Sequence, residues 1–284
     1  MKPTRVLIIF IASVIIGCNN KEKEKVKDYE LIDEDGIGVE KFDSTNTDQN
    51  RFTENNSTFR EGSIFTYEFE HITTKNEKMF FAWDESSDDF RKKWKFVPAD
   101  SIDENTILRV AISVQQGLEP MIFSNPDYNQ TVIKYQYELK EGNARFSSSS
   151  GVIENENNIW MHPPRDQYFR ILELNPFPFI KAPYEIGNEW SWQLRIGDGW
   201  SDKRWKHWEG SIENEYTYKI TDRKTLKTSL GEISCWVIEG TAVSRIGETK
   251  LKAFFNSKYG FVQLNYTNID GSSTNLVLSD YSEV

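Results

Sequence analysis

Apolar and polar residues alternate along most of the chain with a period of two, the signature of strands with one buried face. In EWSWQLRI, Trp190, Trp192, Leu194 and Ile196 are apolar, while Glu189, Ser191, Gln193 and Arg195 are polar. In TVIKYQYEL, Ile133, Tyr135, Tyr137 and Leu139 alternate with Lys134, Gln136 and Glu138. IFTYEFEH sets Phe65, Tyr67 and Phe69, with His71 in phase, against Thr66, Glu68 and Glu70. ILRVAISV aligns Leu108, Val110, Ile112 and Val114. FVQLNY and TNLVL flank NIDG, where Asp270-Gly271 predicts a hairpin turn with positive φ. Further strands are expected at Met79–Trp83, Ile212–Ile220, Ile233–Ala242 and Leu251–Phe255. Roughly ten strands with one polar face each make an antiparallel sheet, since parallel strands are apolar on both faces. The predicted fold is mainly all-β: an antiparallel curved half-barrel or sandwich with one or two short helices.

Two stretches break the alternation. DESSDDFRKKWKF predicts a short helical segment pairing Phe90 with Trp94. WMHPPRDQYFRILELNPFPFIKAP has Asp166 placed as an N-cap, and a short helix turning Phe169, Ile171 and Leu172 inward before Asn175-Pro176. That segment is expected to cross or lid the sheet. No internal repeat, phosphate loop or heptad interrupts the pattern, so residues 59–284 read as a single domain.

The N-terminus changes where this domain is placed. Lys2 and Arg5 precede a short apolar run, Val6 to Ile16. It falls short of the roughly 20 residues a membrane span needs and reads as a signal peptide, residues 1–17. Ile15-Ile16-Gly17-Cys18 resembles the lipobox of bacterial lipoproteins, which implies acylation of Cys18 and membrane attachment through acyl chains. Residues 18–58, with NNKEKEKVKDYE and FDSTNTDQNRFTENNSTF, are too polar to bury much surface and read as a disordered tether. The NNKEKEK run loosely resembles the charged signals that send Bacteroidetes lipoproteins to the surface. The implied location is the cell envelope, at the outer membrane, on its periplasmic or surface face.

The formal charge is −10, and loss of Lys2 and Arg5 with the signal would deepen it. Such a domain is a poor partner for nucleic acid, which needs clustered Lys and Arg. Cys235, in EISCWVIEG, reads as a small buried filler, and with Cys18 acylated no internal disulfide can form. His71, His162 and His207 are scattered, so neither metal nor cofactor is expected. The DESSDD and GDGWSD stretches lack EF-hand spacing and read as solvated loops. G-x-S-x-G, H-E-x-x-H and P-loop motifs are absent, and no carboxylate pair stands out, so no catalytic activity is expected. His162-Pro163-Pro164-Arg165 can be read as an anion holder or, more simply, as a polyproline corner with Arg165 paired to an acidic neighbour.

HPPR, LNPFPF, IGNEWSW, LGEISCWVIEGTA and AFFNSKYGFVQLNYTNIDGS together resemble a group of uncharacterised Bacteroidetes envelope lipoproteins, over about residues 145–280. In strand rhythm the chain is distantly similar to the half-barrel clamshell proteins of the Gram-negative envelope. That resemblance implies a sheet curled around a hydrophobic cavity, and it carries no site residue.

The clearest functional signal is WSDKRWKHW, Trp200 to Trp208. Trp208 shares parity with Ile212, Tyr216 and Tyr218 and reads as core; Trp205 has the opposite parity and is expected to face outward. Trp200 follows the turn-forming Gly197-Asp198-Gly199 and is expected at a loop tip. Trp200, Arg204, Trp205 and His207 are therefore the candidate ligand-binding residues. Three uses fit. The first is an apolar or amphipathic ligand held in the half-barrel, with the Trp loop at its rim. The second is stacking on a surface glycan, and the third is docking to another envelope protein.

Overall fold

The computed structural model describes residues 29–42, 53, 56–115 and 130–283; Cys18 and most of the expected tether lie outside them. Sixteen strands form among the described residues. β1 (Tyr29–Glu34) and β2 (Ile37–Phe42) pair only with each other. The other fourteen make one antiparallel sheet. They are β3 (Ile64–Ile72), β4 (Lys78–Trp83), β5 (Trp94–Pro98), β6 (Thr106–Val114), β7 (Thr131–Leu139), β8 (Ala144–Glu154) and β9 (Asn158–Met161). They continue as β10 (Phe179–Lys181), β11 (Glu189–Ile196), β12 (Ile212–Thr228), β13 (Gly231–Ser244), β14 (Gly247–Asn256), β15 (Gly260–Thr267) and β16 (Ser273–Ser282). The spatial order is β10-β9-β8-β7-β6-β4-β3-β16-β15-β14-β13-β12-β11, with β5 on β4.

The sheet curls into a nearly closed barrel. Its terminal strands meet through aromatic rings, Phe179 at 5.5 Å from Trp190 and Trp160 at 5.7 Å from Trp192. The alternation holds in β3 and β7, where Phe65, Tyr67 and Phe69 are buried, as are Ile133, Tyr135 and Tyr137, but a bulge in β6 takes Leu108 out of phase with the buried Val110, Ile112 and Val114. At the NIDG turn Gly271 takes φ +82, joining β15 to β16.

The expected hydrophobic cavity is filled by the chain itself. Residues 162–178 run through the concavity as a plug, with a 3-10 helix at Gln167–Leu174 in place of the expected α-helix. Tyr168, Phe169, Ile171, Leu172, Leu174 and Phe177 are all buried. A plug with so little repetitive structure must find partners for its buried carbonyls. The inner face of the sheet supplies them. Tyr135 Oη donates to His162 O (2.5 Å), Thr249 Oγ1 and Asn214 Nδ2 to Leu174 O (2.8 and 3.1 Å), and Tyr218 Oη to Phe177 O (3.0 Å). Asp166 stands at the predicted cap position but makes no capping bond; its carboxylate accepts from Tyr137 Oη instead (2.9 Å).

Two further expectations are corrected. In the 84–96 stretch the ring of Phe90 is exposed and leans on Trp83 (5.9 Å), while Trp94 is buried in a strand, so the predicted Phe90–Trp94 pair does not form. The stretch 18–58 also holds more structure than a tether. β1 and β2 make a hairpin through Asp35-Gly36, both at positive φ, and Ile37 and Val39 join the core. Its tip lies so close to β11 that a Cβ on Gly36 would stand 2.3 Å from Ser191 O.

Residues 57–59, leading into β3, are clasped by Glu154 at the end of β8. Its buried carboxylate accepts from Ser57 N, Thr58 N and Phe59 N, each at 2.8 Å, and from Ser57 Oγ at 2.9 Å. Glu154→Gln removes the charge and faces an amide N–H toward these donors. Since a hydrogen bond to a charged group contributes ~1.5–3 kcal/mol, this substitution is expected to lower stability by about 2 kcal/mol. The readout is the shift of the denaturation midpoint in urea at constant slope.

Candidate functional site

The Trp loop spans 197–210 and is built of turns. A 3-10 turn covers Asp198–Trp200, an isolated bridge joins Asp202 to Lys206, and Trp205 N donates back to Asp202 O (3.2 Å). Strand β12 begins only at Ile212, so the parity rule has no jurisdiction over residue 205. The structure overturns the outward placement of Trp205: it is 6% exposed and stacked on Trp94 at 6.5 Å and 13°. The Arg204 guanidinium lies over Trp94 at 3.9 Å and is paired with Asp202 at 2.8 Å. Trp208 is buried as expected, held by a bond from its N–H to Ser201 Oγ (2.9 Å). His207 is exposed, and Trp200 is half-buried with the Arg170 guanidinium 4.7 Å above its ring.

The four predicted residues therefore do not share one surface. Two clefts flank the 198–200 turn. One, of about 620 Å³, is lined by Arg204 and His207 with Lys92, Asp202 and Trp208 among others. Its polar groups largely satisfy one another, as in the Arg204–Asp202 pair and the Ser201–His207 contact at 3.1 Å. The other, of about 460 Å³, brings together Ser148, Ser149, Arg165, Asp166, Arg170, Gly199 and Trp200.

This second cleft gathers three distant parts of the chain. β8 supplies the serines, whose side chains its run of four, Ser147 to Ser150, carries alternately to the two faces of the sheet. The plug supplies Arg165 and Arg170, and the Trp loop supplies Gly199 and Trp200. Arg170 Nη2 donates to Gly199 O, which ties the plug to the loop. Asp166 is committed to Tyr137 Oη and Ser148 Oγ. Arg165 is half-buried and has no ion pair or hydrogen bond among the described residues, so the expected pairing with an acidic neighbour is not made. His162 is half-buried, its ring 4.6 Å from Trp160 and 5.2 Å from Phe177. On the plug the buried Glu173 carboxyl is pushed up to about 7 by burial, against the opposing pull of Arg165 and Arg170.

The remaining sequence candidates sit elsewhere. Cys235 is buried and its thiol is raised to about 11 by burial, far from a thiolate nucleophile. His71 is buried with Nδ1 2.6 Å from Tyr168 Oη, a core residue as its parity suggested. Among the described residues no three His, Cys, Asp or Glu side chains gather as a metal site requires.

No model of a known protein family matches the chain, and no curated protein does. Among solved structures, it is similar to a protein described as exported, with a YmcC-like fold, from Bacteroides fragilis. That alignment has 12% identity and a TM-score of 0.44, and covers 82% of this chain and 99% of the other. A protein described as a lipoprotein from Parabacteroides distasonis aligns at 10% identity and a TM-score of 0.43, covering 79% and 97%. The hypothetical lipoprotein YmcC of Escherichia coli aligns at 10% identity and a TM-score of 0.30, covering 78% and 86%.

Proposed function

We propose that the chain is a lipid-anchored protein of the cell envelope, attached at the outer membrane through Cys18, that binds an acidic glycan without transforming it. The attachment rests on Lys2, Arg5, the short apolar run and Gly17-Cys18. The binding rests above all on Arg165, a half-buried guanidinium that lines a cleft and makes no ion pair or hydrogen bond among the described residues, in a protein of net charge −10. An unpaired charge out of full solvent is costly unless a counter-ion arrives. Arginine is the side chain best suited to a carboxylate or phosphate, through two parallel N–H donors. Trp200 offers an amphipathic ring at the wall. The cleft volume of 460 Å³ lies within the ~300–1,000 Å³ range of small-molecule sites.

The same cleft supports the absence of catalysis. Asp166 is the one carboxylate that lines it among the described residues, and it is already hydrogen-bonded to Tyr137 and Ser148. Hydrolysis of a glycosidic bond needs two carboxyl groups across the bond. An apolar cargo inside the half-barrel is disfavoured because the plug occupies that volume.

The test is calorimetric titration of the non-acylated Cys18→Ser chain with a glucuronate-containing disaccharide and its neutral glucose counterpart. Binding of the acidic sugar alone is expected, weakened at least tenfold by Arg165→Ala and less by Trp200→Ala, with both variants melting near the parent. A glycan array rich in uronic acids and phosphorylated sugars that captures nothing sinks the proposal. So does an Arg165→Ala chain that binds as tightly as the parent.

A further inference from the structure

The barrel wall is split at one place. β3 pairs with β6 from Ile64 to Glu68, then switches to β4 for His71 and Ile72 only. β4 in turn meets β6 at Phe81 and Ala82. Phe69 and Glu70 on β3, Phe80 on β4 and Leu108, in a bulge of β6, thus surround a fork with no ladder bonds across it. A pocket of about 440 Å³ opens there on the outer face, opposite the plug. Its walls are Phe80, Ile102, Leu108 and Val277, and its floor is Phe69, a core ring reached through the split.

The rim is charged, and two of its groups, Glu68 and Lys140, make no ion pair among the described residues. Lys78, Arg109 and Lys140 line the pocket with Glu68 and Glu70. Lys78 is paired with Glu70 at 2.7 Å, and Arg109 with Glu138 at 3.0 Å while standing opposite Glu68 in register. Lys140 has no ion pair among the described residues. An apolar trough open at one end, with a spare cation at its mouth, is complementary to a molecule with a tail and an anionic head.

We infer that this fork is a second binding site, for a single-chain amphiphile whose aliphatic tail lies on Phe69, Phe80, Leu108 and Val277 and whose carboxylate or phosphate head meets Lys140. It is independent of the glycan cleft, since the two share no residue. The volume suits one chain and not two.

The experiment is displacement of a fluorescent fatty acid, 11-(dansylamino)undecanoate, from the Cys18→Ser chain by laurate, dodecyl phosphate and neutral dodecyl maltoside. Probe fluorescence is expected to rise on binding and to be reversed by laurate or dodecyl phosphate, and whichever competes better identifies the head group. Lys140→Glu should weaken the anionic competitors about tenfold while sparing the maltoside, and Val277→Asp, on the solvent side of β16, should weaken all three. The inference is overturned if the probe does not bind, or if Lys140→Glu and Val277→Asp chains of unchanged melting behaviour bind it as the parent does. Arg165→Ala should leave this titration unmoved, so failure here and failure of the glycan reading are told apart.

Discussion

Trp205→Ala is expected to lower the thermal midpoint by roughly 6–20 °C, whereas Trp200→Ala shifts it only slightly. The first figure follows from the ~3–5 kcal/mol cost of deleting a packed indole and the ~2–4 °C per kcal/mol of a domain this size. Trp205 is one slab of a stack, Trp94 and Arg204 being the others, so its loss opens a hole beneath the whole 197–210 loop. A subtler variant separates ring from polar atom. Trp205 Nε1 is buried with no acceptor among the described residues, so Trp205→Phe removes an unsatisfied donor, worth ~1–3 kcal/mol, while keeping much of the ring. That variant should melt within a few degrees of the parent. Because the loop also carries Gly199 and Trp200, Trp205→Ala should weaken acidic-sugar binding as well. A Trp205→Ala chain that melts like the parent would mean that the ring is on show, as its parity first suggested.

The Trp205 case marks the boundary of what alternation can reveal. Where a residue lies inside a strand, its neighbours two positions away fix its face, and Trp190, Trp192, Tyr216 and Tyr218 are all buried as read. Turns have no such rule. β8 escaped notice because its serines stand where apolar residues would mark a strand. The β1–β2 hairpin escaped because charges fall on both sides of YELIDEDGIGVEKF, although Asp35-Gly36 is itself a turn signal. The filled concavity also left a trace in the sequence. Tyr135, Tyr137 and Tyr218 point inward where a lipid cavity would want Leu or Val, and each gives its hydroxyl to the plug. The cleft at Arg165 was not legible, since it joins β8, the plug and the Trp loop only after the sheet has curled.

Acid should destabilise this protein, and His71 and His162 set the pH. Burial pushes His162 down to about 3, with Arg165 adding to the effect, and His71 down to about 4, against Asp270 and the Ser273 backbone. In the unfolded chain both take up a proton near 6.5. Their contribution to stability is therefore complete above that pH and is lost as pH falls toward 4 and 3, about 3 kcal/mol for His71 and about 5 kcal/mol for His162. Glu173 works in the opposite sense. Its folded pKa of about 7 lies above the unfolded value, so its contribution is fullest below about 4.5 and is lost, by about 3 kcal/mol, as pH rises to 7. From pH 7 to 3 these three groups together should remove about 5 kcal/mol, and the loss should steepen once Glu173 is protonated in both states. Differences between variants isolate each group from the many surface carboxylates. Glu173→Gln should raise the midpoint at pH 8 and leave it nearly unchanged at pH 4.5, while His162→Phe, whose ring can rest against Trp160 and Phe177, should flatten the decline below pH 6. Thermal melts of the three chains at pH 8, 6 and 4.5 decide the matter. Equal shifts for Glu173→Gln at both ends of that range would mean that its carboxyl does not titrate between them, and a His162→Phe chain with the parent's slope would mean that the imidazole is solvated when folded.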